Sequence, residues 1–146
     1  MLVTLVEKFL LVAMALQAAL TFFVLVRMGQ ERVPRVMRGE IPMRDIAVDR
    51  EAYPLKARLL SNNFDNQFQL PVLFYVVVIL AITAGGANWA EVALAYFFVA
   101  LRYFHTAIHT GTNNVMQRFQ VYVAGFGVLA LLWLVVLLRL LLSGAA

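Results

Sequence analysis

Apolar residues run almost unbroken through four stretches of the chain, 2–26, 68–84, 89–108 and 121–142. Each is close to the about 20 residues that an α-helix needs to cross about 30 Å of hydrocarbon. Only Glu7, Lys8 and Gln17 interrupt the first, Gly85-Gly86 closes the second, Gly111 follows the third, and the fourth carries Trp133 and a late Arg139. A secretory signal would need a positive leader and a shorter apolar core. Here Glu7 offsets Lys8 and the run continues to Val26, so the first stretch reads as a retained helix. The pattern predicts an all-α fold: a single integral membrane four-helix bundle over residues 1–146.

The connections are unequal, and short ones make antiparallel neighbours. The link around 85–88 has no charge, whereas the connection over 27–60 holds Arg27, Arg32, Arg35, Arg38, Arg44, Arg50, Lys56 and Arg58 against five acids. Basic residues accumulate on the cytoplasmic side. The long connection and the loop before Arg118 are therefore expected in the cytoplasm, with both termini outside. Pro34, Pro42 and Pro54 predict irregular backbone in the long connection.

Composition agrees with this reading. Of the residues 63% are hydrophobic and 14% charged, where soluble domains carry about 25% charge, and the mean hydropathy is +0.83. The net charge of +4 has its ordinary explanation in cytoplasmic loops. No basic patch interleaved with aromatics outside the spans suggests nucleic acid. The absence of cysteine excludes disulfides, thiolate metal sites and a nucleophilic cysteine of the chain's own. Any thiol chemistry must arrive with a ligand.

Polar residues within or beside the spans are the informative ones. In RLLSNNFDNQF at 58–68, helical spacing places Arg58, Asn62, Asp65 and Gln69 on one face, and Pro71 predicts a kink. In LRYFHTAIHTG at 101–111, Arg102, His105 and His109 share a face. An unpaired guanidinium two turns inside a span costs at least a few kcal/mol, so Arg102 should face the bundle and find a partner, with Asp65 as the acidic candidate. The expected topology brings these stripes to one depth with Arg118 and Tyr122. The result would be a cationic pocket suited to a small, polyanionic, zwitterionic ligand. An arginine or a donating tyrosine hydroxyl beside a ligand thiol would favour the thiolate. Structural alternatives stand beside each role: an Asp65–Arg102 ion pair fixing the bundle, Arg58 and Arg118 anchoring helix ends, and Asn62 and Asn63 capping a helix. His105 and His109 have too few neighbouring ligands for a metal site, so none is expected.

The two blocks RLLSNNFDNQF and LRYFHTAIHTGTNNVMQRFQVY (101–122) resemble the MAPEG family, the membrane-associated proteins in eicosanoid and glutathione metabolism. The resemblance is to a bacterial branch and covers nearly the whole chain. It implies a homotrimer that binds glutathione between subunits near the cytoplasmic face, with Arg118 stabilising the thiolate. Arg58, Asn62, Asp65, Arg102, His105 and Tyr122 would be glutathione contacts or their supports. Two departures stand out: Asp65 replaces the family's usual glutamate, and His109 stands where the prostaglandin synthase branch has tyrosine.

The function this implies is that of a glutathione-dependent transferase or peroxidase acting on a lipophilic small molecule that enters from membrane lipid, in a bacterial inner membrane. A non-catalytic binding or scaffold protein of the same fold is the alternative. A channel or carrier subunit is disfavoured, because stretches such as 72–81 and 129–138 give no polar path across the membrane.

Overall fold

A computed structural model describes residues 3–47 and 50–142. Five α-helices and one short 3₁₀ turn account for the secondary structure of the described residues: α1 (Leu5–Met37), the turn Met43–Ile46, α2 (Leu55–Asn66), α3 (Leu70–Thr83), α4 (Trp89–Thr110) and α5 (Val115–Leu142). Four helical stretches are long and apolar enough to cross a membrane, with α2 and α3 together forming one of them.

The helix starts follow local chemistry. Thr4 and Glu7 form a capping box: the Glu7 N–H donates to Thr4 Oγ1 (3.2 Å) and the Thr4 N–H to Glu7 Oε2 (2.7 Å). Asn88 caps α4 by accepting from the Ala90 and Glu91 N–H groups. Gly85 and Gly86, at φ of 73° and 70°, supply the left-handed backbone that turns α3 directly into α4.

The bundle core is continuous. Leu10 and Ala13 of α1, Phe74, Val77, Val78 and Ala81 of α3, Ala95, Phe98 and Val99 of α4, and Leu129, Leu132 and Val136 of α5 form one buried cluster. The Phe74 and Phe98 rings stack across it at 4.8 Å. Outward-facing Phe22, Phe97, Phe126 and Leu134 stay exposed, the side-chain distribution of a bundle solvated by lipid.

Two expectations need correction. The long connection is not irregular at its start: α1 continues through Pro34 to Met37. Its 33 residues make a rod of about 50 Å at 1.5 Å per residue. Proline removes one helical hydrogen bond, but this part of α1 is held from the side. Arg32 lies over the Tyr53 ring at 4.5 Å, Lys56 Nζ pairs with Glu31 at 2.6 Å, and Val36 packs on Ile41, Tyr53 and Ala57. Nor is the second span one helix kinked at Pro71. The chain leaves α2 after Asn66 and re-enters helix at Leu70, with Pro71 in the first turn of α3, where its missing N–H costs nothing.

Candidate functional site

The C-terminal half of α2, the C-terminal turns of α4 and the N-terminal turns of α5 meet at one end of the bundle. Between them lies a cleft of about 340 Å³ lined by Asn62, Asn66, His105, His109, Arg118 and Tyr122, with Val115 and Phe119 as its apolar part. The turn between α4 and α5 places Arg118. Gly111 ends α4 at a backbone position where a Cβ would stand 2.7 Å from the Ala107 carbonyl oxygen, and Asn113 adopts φ +50°. Arg118 Nη1 donates to Asn113 Oδ1 at 2.8 Å. Among the described residues no carboxylate pairs with Arg118. The His105 ring stands 5.8 Å from that of Tyr122 and 5.6 Å from that of His109. The lining is thus rich in donors and contains no carboxylate.

Behind the cleft is a buried polar layer. Arg102 is 1% exposed. Its Nη2 donates to the Asn66 carbonyl at 3.0 Å, an oxygen made available because α2 stops there. Its Nε and Nη1, and His105 Nδ1, are buried without a partner among the described residues. Beside it Gln17 Nε2 donates to Gln67 Oε1 (3.1 Å), Gln67 Nε2 to Asn63 Oδ1 (3.1 Å), and Thr106 Oγ1 to the same Oδ1 (3.2 Å). Asn63 Nδ2 lies 3.2 Å from His109 Nδ1.

The opposite end of the bundle holds a different arrangement. Arg139 is partnered within the bundle. Its Nε donates to Glu91 Oε1 at 2.6 Å and its Nη2 to Oε2 at 3.4 Å, while the remaining N–H groups reach the Gly85 and Ala81 carbonyls. Glu91 is fully buried and also accepts from Asn88 Nδ2. This ion pair ties α5 to α4 and to the end of α3.

The family model for MAPEG matches residues 10–138, nearly the whole chain. The chain belongs to the MAPEG family. It is an integral multi-pass membrane protein with the four-helix bundle of that family, whose members are connected with glutathione. No curated protein and no solved structure gives a significant match.

Of the residues singled out in the sequence, Asn62, His105, Arg118 and Tyr122 come together around the cleft. Arg102 stands immediately behind it, and Arg58 is half-buried with its Nε unpartnered among the described residues. Asp65 is placed otherwise than expected. It pairs with Arg50 (Nη1 to Oδ2, 2.6 Å) and not with Arg102, and its side chain is 52% exposed. The reason is angular. With Asn62 and Asn66 both turned to the cleft, position 65 lies about 100° round the helix from Asn66 and about 80° from the direction midway between the two, on the side of the segment that carries Arg50. That contact raises the Arg50 pKa above its ordinary value, chiefly through the hydrogen bond to Asp65.

Sequence reasoning passed over Asn66, Gln67 and Thr106, took Asn63 only as a candidate helix cap, which its place inside α2 excludes, and Gln17 only as an interruption of the first span. A signal was available for two of them. Asn63 and Gln67, at i and i+4, make a second polar face on α2, and uncharged amides are costly in a membrane helix unless they meet one another.

Proposed function

We propose that this MAPEG protein is a glutathione-dependent membrane enzyme of the transferase or peroxidase type. The observation that carries the reading is the donor-rich cleft in which Arg118 has no carboxylate partner among the described residues. Glutathione brings two carboxylates and a thiol. Its carboxylates suit the amides of Asn62 and Asn66 and the ring N–H of a histidine. Its sulfur, beside the Arg118 guanidinium and the Tyr122 hydroxyl, is favoured as thiolate, because charge-assisted hydrogen bonds stabilise the anion over the thiol. The cleft is near the lower end of the roughly 300–1,000 Å³ of small-molecule sites.

The chemistry follows from the thiolate. In transfer, its lone pair forms a carbon–sulfur bond to a lipophilic electrophile, the leaving group departs with the bonding pair, and the thiol proton is released to water. In peroxide reduction, the thiolate attacks the terminal oxygen, the oxygen–oxygen bond breaks, the departing alkoxide takes from water the proton that the thiol gave up and becomes an alcohol, and a second glutathione converts the sulfenic acid to disulfide and water. Val115, Phe119 and the lipid-facing side of α5 give an apolar substrate its route in from the bilayer. Arg102 supports the site from behind through Asn66, while Arg58, Asp65 and His105 serve as contacts or supports in a homotrimer. We place the cleft on the cytoplasmic side of a bacterial inner membrane, with both termini outside, on the basic excess of the 27–60 connection.

The test is glutathione binding to detergent-purified protein by calorimetry, with turnover of 1-chloro-2,4-dinitrobenzene and cumene hydroperoxide. Saturable binding with turnover that Arg118→Ala abolishes is the expected outcome. No binding at millimolar glutathione would defeat the proposal.

A further inference from the structure

The buried amides behind the cleft form a chain whose direction can be read. Three amide side chains join in series and end on a histidine: Gln17 of α1 to Gln67 at the end of α2, Gln67 to Asn63 of α2, and Asn63 to the Nδ1 edge of His109 on α4. Amide groups can be reversed end for end without changing shape, so such a chain could run either way unless something anchors it. The anchor is the Asn63 backbone carbonyl, which can only accept and stands 3.3 Å from Gln67 Nε2. Reversing Gln67 would set two oxygens against each other there. Gln67 therefore presents its NH₂ to Asn63, and the Asn63 Oδ1 takes that N–H together with the Thr106 hydroxyl. The Asn63 NH₂ is left to face His109, so Nδ1 must be the acceptor and the ring proton must be on Nε2. With its Nδ1 edge engaged, His109 lines the cleft with the rest of its ring.

We infer that His109 is held as the neutral Nε2–H tautomer and is a specificity-determining hydrogen-bond donor to an anionic group of the bound ligand, not a proton-accepting base. The ligand half of this inference rests on the glutathione reading above; the tautomer half rests on the amide chain alone. The consequence is a division of labour in the cleft: Arg118 supplies charge, whereas His109 supplies a fixed neutral donor whose tautomer is set by the Asn63 carbonyl through the Gln67 and Asn63 amides. A ligand offering a carboxylate or thiolate oxygen or sulfur at that point is preferred over one offering an amine.

The test is ¹⁵N-histidine NMR of the full chain in detergent micelles, with glutathione titrated by calorimetry in parallel; the His109→Gln spectrum tells the two histidines apart. In the wild type at neutral pH, His109 Nδ1 should be unprotonated and Nε2 protonated. Asn63→Asp replaces the donor facing Nδ1 by an acceptor and should protonate that nitrogen. A protonated Nδ1 in the wild type overturns the inference. Glutathione should shift the Nε2 resonance. Its affinity should fall about tenfold or more in His109→Phe, as for loss of one hydrogen bond to a charged group, and recover in part in His109→Gln, which keeps an amide donor. Equal affinity in wild type and His109→Phe overturns the donor role while leaving the glutathione reading intact. Should His109→Phe fail to fold, an Nε2 resonance that saturating glutathione leaves unmoved has the same meaning. No glutathione binding by the wild type defeats the proposed function and the ligand named here, and the two ring resonances still decide the tautomer.

Discussion

Arg139 and Arg102 are both largely buried arginines on membrane-spanning helices, at opposite ends of one bundle. The first is completed within the chain, with both Glu91 oxygens and two backbone carbonyls around its guanidinium. The second has one carbonyl, from Asn66, and two nitrogens with no partner among the described residues. Burial of an ion costs several kcal/mol unless partners repay it. A completed pair therefore fastens helices together, whereas an incomplete one leaves donors open among the described residues, as a ligand site of the kind proposed above requires. On the proposed function, the contrast separates a structural end of the molecule from a chemical one.

The sharpest way to break that comparison is Glu91→Leu. It strands the Arg139 charge and should cost about 3–5 kcal/mol, the usual consequence of removing one member of a buried pair, seen as a large drop in the detergent melting temperature. Glutathione affinity of the fraction that folds should be unchanged. Arg118→Ala should show the reverse: a loss of thiolate stabilisation of about 1.5–3 kcal/mol, the worth of a hydrogen bond to a charged group, read from ultraviolet difference spectra of added glutathione, with little change in melting. An unchanged thiolate signal would remove Arg118 from its role. Arg102→Met sharpens the contrast further. Because it deletes an unsatisfied charge and retains volume, stability should move by less than about 1.5 kcal/mol while glutathione binding weakens. A loss as large as that of Glu91→Leu would make Arg102 structural.

The exposed pairs bring up the small end of the scale. Asp65→Asn should cost under about 1 kcal/mol of stability, as surface ion pairs do, and a larger loss would reveal a neighbour that covers it. The smallest effect concerns Glu40, whose pKa is lowered chiefly by its hydrogen bond to Arg38. A depressed carboxylate contributes stability that is full above its ordinary pKa and disappears as pH falls through the lowered one. The melting difference between wild type and Glu40→Gln should thus be constant near neutrality, vanish in acid, and shrink in high salt.

The contrast also explains how much could be read from the chain beforehand. Apolar periodicity gave four membrane-capable helical stretches, because hydrocarbon thickness leaves few alternatives. Helical spacing together with antiparallel topology gathered Asn62, His105 and Tyr122 with Arg118, because short connections bring the polar ends of neighbouring helices to one depth. The partners of the charges were less accessible. Arg50 meets Asp65, and Arg139 meets Glu91, across 15 and 48 residues, and nothing local distinguishes these acids from others. Pro71 predicts a kink where the structure has a break after Asn66, since proline marks a disturbance without saying on which side the helix yields. The amide chain escaped because each of its members is unremarkable alone.

The rod formed by α1 has a consequence for how this sequence can change over time. Two of its residues are keyed to fixed points: Gln17 to Gln67 inside the bundle, and Arg32 to Tyr53 outside the apolar run. They are separated by 15 residues, or about 22 Å of rigid helix. Substitutions between them alter side chains only. One inserted or deleted residue would rotate one key against the other by about 100° and shift it by about 1.5 Å. The stretch should therefore tolerate spelling changes freely and length changes hardly at all, behaving as a ruler whose graduations matter more than the material it is made from.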